Sequence, residues 1–214
     1  MAINKVAVIG AGLMGSGIAA HVANAGHDVV LLDIVPKDAG RGAKKRSALA
    51  LGAVERLLKS QPAAFMEKCN AKRVTCGNIE DDLALLADAD WIIEAVIEKR
   101  NIKQTIYRII DGVRKAGSIV SSNTSTIPCR DLMDGMDEKF QSDFLVTHFF
   151  NPPRYMRLLE IVAGAKTNPQ AIATIREFAD VKLGKGVVDC KDTPGFIANR
   201  IGTFWIQAAV VEAF

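Results

Sequence analysis

Two residues in the second half of the sequence have the types and the setting of a proton-transfer pair. His148 ends an apolar segment, and Glu160 lies twelve residues later within Leu-Leu-Glu-Ile-Val. A carboxylate among aliphatic side chains is costly to bury unless it faces water or has a partner. A His–Glu pair would remove that cost and orient the imidazole as a general base near neutral pH. The alternative is that Glu160 lies on the solvated face of an edge strand and that His148 is simply the last residue of another strand. The spacing of the two residues does not decide between these interpretations.

A glycine-rich segment near the N-terminus predicts a dinucleotide site. The residues Gly10, Ala11, Gly12, Leu13, Met14 and Gly15 match the pattern GxGxxG between an apolar segment and a helix-forming one. Glycines there permit the tight turn and let the backbone approach a pyrophosphate at the helix N-terminus.

Asp33 ends the predicted second strand, where an acidic side chain binds the adenosine ribose hydroxyls in such sites. Its other interpretation is an ordinary aspartate at a strand end. The residues Ile34-Val35-Pro36 offer no arginine for a 2′-phosphate, which Asp33 would repel. The sequence therefore favours NAD over NADP.

Ser122-Asn123-Thr124-Ser125 is a third polar group, and it directly follows an apolar strand. The strand's end predicts that its hydroxyls lie at the ligand-binding edge of the sheet. A polar turn without function explains the same residues equally well.

The elements that must position these residues alternate between strands and helices, which predicts an α/β fold with a doubly wound, mostly parallel Rossmann-type sheet covered on both faces. Helices are expected after the glycine segment, at Glu98 to Lys115 and at Pro169 to Leu183, and a helical pair is expected as an insertion at about residues 37–72. The predicted strands are Lys5 to Ile9, Val29 to Leu32, Val74 to Cys76, Trp91 to Ala95, Ser118 to Ser122, Phe144 to His148, Arg157 to Val162 and Gly186 to Cys190.

The pattern changes after residue 191. Asp192-Thr193-Pro194 is typical of a helix start, and apolar residues follow on more than one face without a polar C-cap. We therefore expect residues 1–191 to form the nucleotide-binding domain, and residues 192–214 to begin a helical C-terminal domain of a longer protein. Phe204, Trp205 and Phe214 are expected to be exposed, which favours self-association.

Composition excludes several classes of protein. Of 214 residues 49% are hydrophobic and 24% charged, which indicates a soluble globular chain, and the net charge of +3 gives no reason to expect a nucleic acid or an anionic membrane as partner. The uncharged run from Val6 to His27 contains too many glycines for a signal peptide or membrane span. Four scattered cysteines suggest neither a disulfide framework nor a metal site, so a cytoplasmic location is expected.

Together these segments resemble the L-3-hydroxyacyl-CoA dehydrogenase family over essentially all 214 residues. The motifs that carry the resemblance are the glycine segment at 8–19, Glu94-Ala-Val-Ile-Glu98, Ser122-Asn-Thr-Ser125, His148-Phe-Phe-Asn-Pro152 with Glu160, and Asp192-Thr-Pro-Gly-Phe-Ile-Ala-Asn199-Arg200. The residues at 123–128 and 148–160 are similar to those of long bacterial members, in which an enoyl-CoA hydratase-like domain follows.

The resemblance implies NAD-dependent oxidation of a 3-hydroxyacyl-CoA to the 3-oxoacyl-CoA in fatty-acid β-oxidation. It implies that His148 is the base and Glu160 its partner, that Ser125 and Asn199 hold the substrate, and that Glu98, Lys103, Ser125 and Asn151 lie near the cofactor. It also implies a homodimer formed through the C-terminal helical region. Since family members complete the cleft with that region, residues 1–214 alone are expected to bind NAD with little or no turnover.

Two other functions fit the same residues. Related proteins with this His–Glu layout oxidise free sugar acids or short hydroxybutyryl-CoA. A non-catalytic NAD-binding module is a third hypothesis, although such a module needs neither a base nor substrate-holding groups.

Overall fold

Eight apolar segments pair into one sheet in the computed structural model, which describes residues 2–213. The strand order is β3-β2-β1-β4-β5-β6-β7-β8, and neighbouring strands are parallel except for β6 and β7. All eight predicted strands are confirmed, with ends that differ by at most two residues. The strands are β1 Lys5–Ile9, β2 Asp28–Asp33, β3 Val74–Asn78, β4 Trp91–Glu94, β5 Ile119–Ser122, β6 Phe144–Phe149, β7 Leu158–Ala163 and β8 Gly186–Cys190.

Helices cover both faces of the sheet, as the alternating pattern predicts. Apolar residues of α1, α3 and α7 form the core on one face, and those of α4, α5 and α6 form the core on the other. The helices are α1 Leu13–Asn24, α2 Ala43–Arg46, α3 Ala48–Leu57, α4 Arg100–Asp111, α5 Cys129–Met133, α6 Glu138–Ser142, α7 Pro169–Glu177 and α8 Ala198–Ala213. The short helices α5 and α6 have too few residues to show a helical period, and the sequence did not predict them.

The strand order creates a crevice where the helical connections diverge. From β1 the chain continues on one side through β2 and β3, and on the other through β4, β5 and β6. Ligands of doubly wound sheets bind outside the carboxyl ends of the strands at this switch point. The register places Ile9, Glu94 and Ser122 side by side there.

The insertion after β2 is less helical than predicted. It contains the single turn α2, the helix α3 and a 3₁₀ turn at Lys68–Arg73, but the segment around Phe65 and Met66 is irregular. Its backbone groups bond to side chains instead of forming a helical ladder: Asn24 contacts the carbonyl oxygen of Ala64 and the amide of Met66, and Arg154 donates to the carbonyl of Phe65.

The last helix begins later than the predicted start at Thr193. Asp192 accepts hydrogen bonds from the amides of Cys129 and Arg130 and so caps α5, not the helix that follows it. A turn follows in which Phe196 has a positive φ of 46°, and α8 starts only at Ala198.

The residues of α8 confirm the predicted exposure of its apolar side chains. Phe204 is 74% exposed and Trp205 is 70% exposed, whereas Phe214 lies outside the described residues. Among residues 2–213, no helix is both long and apolar enough to cross a membrane.

Candidate active site

The glycine segment forms a tight turn between β1 and α1. Gly10 has a φ of +104°, and a Cβ atom there would lie 2.6 Å from the carbonyl oxygen of Ala95. A Cβ on Gly15 would lie 1.8 Å from the carbonyl oxygen of Gly10, so this helix packs on the turn only with glycine. Nothing lies within 4 Å of the position where a Cβ on Gly12 would point, which leaves the backbone open to a phosphate.

Asp33 holds this turn in place. One carboxylate oxygen accepts the amide of Ala11 at 2.6 Å, and the other accepts the amide of Ile34 at 2.7 Å. The carboxylate therefore lies at the end of β2 beside the glycine turn, as the sequence predicts for a ribose-binding residue. Each oxygen keeps a lone pair for a further donor.

A cleft of about 520 Å³ runs from the glycine turn to the end of β6. It brings together eight of the predicted site residues from five separate segments. The lining residues are Gly12, Leu13, Met14, Ala95, Val96, Ile97, Glu98, Asn123, Ser125, His148, Phe149, Phe150, Asn151 and Asn199. Asp33 and Lys103 do not line it.

His148 and Glu160 lie directly opposite each other in the antiparallel pair of β6 and β7. The imidazole Nδ1 is 2.8 Å from a carboxylate oxygen, and Glu160 is 1% exposed. Since β7 lies between β6 and β8, the interpretation of Glu160 as a solvated edge-strand residue is wrong.

Glu160 is held as a carboxylate. Burial opposes its ionisation, but the imidazole of His148 and the amides of Ala198 and Ile197 together outweigh burial and lower the pKa of Glu160. An ionised carboxylate only accepts, so Nδ1 of His148 carries the proton and Nε2 is the basic nitrogen. The imidazole lines the cleft between the rings of Phe150 and Phe196, whose centroids lie 4.4 Å and 5.7 Å away.

The second carboxylate oxygen of Glu160 accepts the amides of Ile197 at 3.0 Å and Ala198 at 2.8 Å. Glu160 therefore caps α8 with one oxygen and holds His148 with the other. Asn199, in the first turn of α8, faces the loop after β5, with its amide nitrogen 3.5 Å from the carbonyl oxygen of Ser125. The sequence did not predict this link, because it joins segments that are 37 to 74 residues apart.

Glu98 organises the loop that carries Ser125. Its carboxylate accepts the Thr124 hydroxyl and the amides of Ser125 and Thr126. Burial opposes ionisation here too, but the Thr124 hydroxyl and the Lys103 ammonium keep the pKa of Glu98 below its ordinary value. Glu98 lies at the cleft, as expected.

Lys103 does not reach the cleft. It is 1% exposed, and its ammonium lies 2.7 Å from Glu94 and 3.2 Å from Glu98. Glu94, which is fully buried, also accepts the hydroxyls of Tyr107 and Ser122 at 2.7 Å. Sequence reasoning gave Glu94 no role, although a glutamate within an apolar strand is a signal of a buried, paired carboxylate.

The fold and this site define a dinucleotide-binding α/β domain with a histidine–carboxylate pair at the mouth of its cofactor crevice. The chain belongs to the 3-hydroxyacyl-CoA dehydrogenase family: the family model described as "3-hydroxyacyl-CoA dehydrogenase, NAD binding domain" matches residues 5–193. The predicted family and its cofactor, NAD, are therefore confirmed.

Relatives with this domain are longer. A Deinococcus radiodurans protein named as a probable 3-hydroxyacyl-CoA dehydrogenase is 50% identical over 98% of this chain, and a Bacillus subtilis protein of the same name is 48% identical over 98%. The chain spans 60% and 28% of their respective lengths. The crystal structure of (S)-3-hydroxybutyryl-CoA dehydrogenase from Ralstonia eutropha is 31% identical with a TM-score of 0.74, over 94% of this chain and 68% of that one.

Proposed function

We propose that the full-length protein oxidises L-3-hydroxyacyl-CoA to 3-oxoacyl-CoA with NAD, as a step of fatty-acid β-oxidation. The observation that carries the proposal is the His148–Glu160 pair, which leaves Nε2 of an imidazole as a base in the cofactor cleft. The names of the Deinococcus and Bacillus relatives support the same reaction.

The His148–Glu160 pair takes up the proton that the oxidation releases. The glycine turn and Asp33 would hold NAD, which would supply the acceptor for the hydride at C3 of the substrate. Nε2 of His148 takes the proton of the 3-hydroxyl group, and the imidazole becomes positively charged. Glu160 stabilises that charge at 2.8 Å without moving, because it already accepts the Nδ1 proton in the resting pair.

The remaining groups bind and orient. Gly10, Gly12 and Gly15 shape the turn for the pyrophosphate, and Asp33 takes the ribose hydroxyls. All four of the other predicted residues line the cleft: Ser125 and Asn199 hold the substrate near His148, and Glu98 and Asn151, together with Ser125, bind next to the cofactor. Lys103 acts on the cofactor site through Glu98, since its ammonium is buried beneath that carboxylate.

One specific observation favours a substrate with a short acyl chain. The Ralstonia relative is named for 3-hydroxybutyryl-CoA and matches 94% of this chain. The exposed apolar side chains of α8 belong to the region through which we propose that the protein forms a homodimer.

The proposed location is the cytoplasm. Cys69, Cys76, Cys129 and Cys190 are all free thiols, which fits a reducing compartment. No nucleic acid or membrane is part of the proposal.

The proposal is tested by NADH formation from the full-length gene product with 3-hydroxybutyryl-CoA, a longer 3-hydroxyacyl-CoA and a free sugar acid. We expect turnover with the CoA thioesters and none with the sugar acid. Turnover of the sugar acid alone would show that the substrate is a free sugar acid and not a CoA thioester. NAD binding without turnover of any of the three compounds would favour a non-catalytic module. Residues 1–214, measured beside the full-length gene product, are expected to bind NAD with little or no turnover.

A further inference from the structure

Lys185 is a buried lysine without an acidic partner. It immediately precedes β8 and is 2% exposed, and no carboxylate within residues 2–213 lies within 4.0 Å of its ammonium. Burying an unpaired ammonium is costly, so its other contacts have to offset that cost.

Those contacts all belong to one short segment that follows β6. The ammonium donates to the carbonyl oxygen of Pro153 and, at 2.9 Å, to that of Met156. It also lies 5.6 Å from the centre of the Phe149 ring. Lys185 thus joins the last residue of β6 to both ends of the turn at 153–156.

The segment between these contacts carries part of the site. Phe149 is next to His148 and its amide donates to the side chain of Asn123, whereas Asn151 lines the cleft. Pro153 packs on α1, since a Cβ on Gly17 would lie 3.0 Å from its ring. The position of the turn therefore sets where residues 149–151 stand relative to the cofactor half.

We propose that Lys185 is a positioning residue: its ammonium clamps the turn at 153–156 onto Phe149 and so holds His148 and Asn151 in register with the cleft. The inference rests on the proposed dehydrogenase function. It assigns a role in catalysis to a residue that touches neither substrate nor cofactor.

The charges around Lys185 are consistent with a clamp that is protonated at neutral pH. Burial lowers the pKa of Lys185 to about 8. His21 on α1 lies close enough to both Lys185 and Arg154, which is in the turn, for their charges to affect it. Burial, with a contribution from Lys185, lowers the pKa of His21 to about 4, so the imidazole is neutral when Lys185 is charged.

The test uses Lys185→Met in the full-length protein, because methionine fills a similar volume but donates no hydrogen bond. The matched control is Lys182→Met, which removes an exposed lysine three residues away. Three quantities are measured: kcat with 3-hydroxybutyryl-CoA, the Kd of NAD, and hydrogen exchange of residues 150–157.

We expect Lys185→Met to lower kcat at least about tenfold, since a small displacement of a catalytic group has effects of this size. The Kd of NAD rises by about threefold at most, because the glycine turn and Asp33 do not contact Lys185 and, of the proposed cofactor residues, only Asn151 depends on the turn. Exchange becomes faster at 150–157 only, and Lys182→Met matches the parent in all three measurements.

A kcat equal to that of the parent would overturn the inference, whether or not exchange changes. A loss of NAD affinity as large as the loss of kcat would also overturn it, since the effect would then lie in cofactor binding. If Lys185→Met does not fold, Lys185→Gln is used instead, because a glutamine side chain still donates to one carbonyl oxygen. A kcat between that of the parent and a tenfold loss would support the clamp. A kcat equal to that of the parent would contradict it. An inactive parent would refute the proposed function by itself, and hydrogen exchange would still show whether Lys185 holds the turn.

Discussion

The cofactor half and the catalytic half of this domain are built in different ways. Around β1, α1 and β2 the site consists mainly of backbone, namely glycines that permit close approach and amides tied down by Asp33. Around β6, β7 and the start of α8 it consists of side chains, with His148 and Glu160 paired across strands and Glu160 bonded to α8. The first half has no room for a Cβ atom at Gly10 or Gly15, whereas the second half depends on which of its groups are protonated.

The two halves also differ in how their charges are placed. Asp33 is partly exposed and accepts from amides close to the turn. Glu160 and Lys185 are almost completely buried, and each is satisfied by groups from distant segments. A buried charge is costly to leave unpaired, so the catalytic half should respond most to changes of charge and the cofactor half to changes of volume.

Gly15→Ala is the change of volume in the cofactor half, and its effect is expected on NAD binding. The new Cβ would lie 1.8 Å from the carbonyl oxygen of Gly10, which is backbone and has to shift. We expect a loss of NAD affinity of about 100-fold or more, measured by titration calorimetry. The control, Gly52→Ala in α3, meets only ordinary contacts and should bind NAD like the parent. Equal binding by both variants would show that volume does not limit the cofactor half.

Glu160→Gln is the matching change of charge in the catalytic half. The amide group keeps an acceptor for α8 but presents a donor to Nδ1, which then has to accept and places the proton on Nε2. We expect kcat to fall about 10²- to 10⁴-fold with little change in NAD affinity. Glu138→Gln, which removes an exposed carboxylate paired with Lys166, is the control and should leave kcat unchanged. A parent-like kcat in Glu160→Gln would mean that the carboxylate has no part in orienting His148.

The smallest expected effect tests a contact between the halves. His21 on α1 lies 3.0 Å from the carbonyl oxygen of Leu183, and burial lowers its pKa to about 4. Between pH 6.5 and 4 the unfolded chain takes up a proton here that the folded chain does not, so stability falls as the pH falls through this window.

His21→Gln should therefore lose less unfolding free energy than the parent over that range, by about 3 kcal/mol at most. The comparison is made by urea unfolding at several pH values, with His27→Gln as the control. Identical pH dependence in the parent and His21→Gln would show that His21 is not buried as a neutral imidazole.

The contrast between the cofactor half and the catalytic half also explains which features could be predicted from the sequence. The glycine turn, Asp33 and the eight strands follow from local patterns, because each depends on residues close together in the chain. The His148–Glu160 pair remained one of two alternatives, since only the antiparallel register of β6 and β7 brings these residues together.

Other features could not be predicted because distant residues determine them. Asp192 precedes a helix yet caps α5, which lies 63 residues earlier in the chain. The segment around Phe65 has apolar residues at helical spacing but bonds to Asn24 and Arg154. Lys103 and Lys185 are buried lysines whose burial no local sequence pattern indicates, and only the fold shows the groups that hold them inside.

The central claim is that His148 is the base of an NAD-dependent oxidation. The most direct test is the rate of NADH formation by His148→Gln in the full-length protein, with 3-hydroxybutyryl-CoA as substrate and NAD affinity measured in parallel. We expect a kcat about 10²- to 10⁴-fold below that of the parent, with an NAD Kd within about twofold. A turnover close to that of the parent would contradict it.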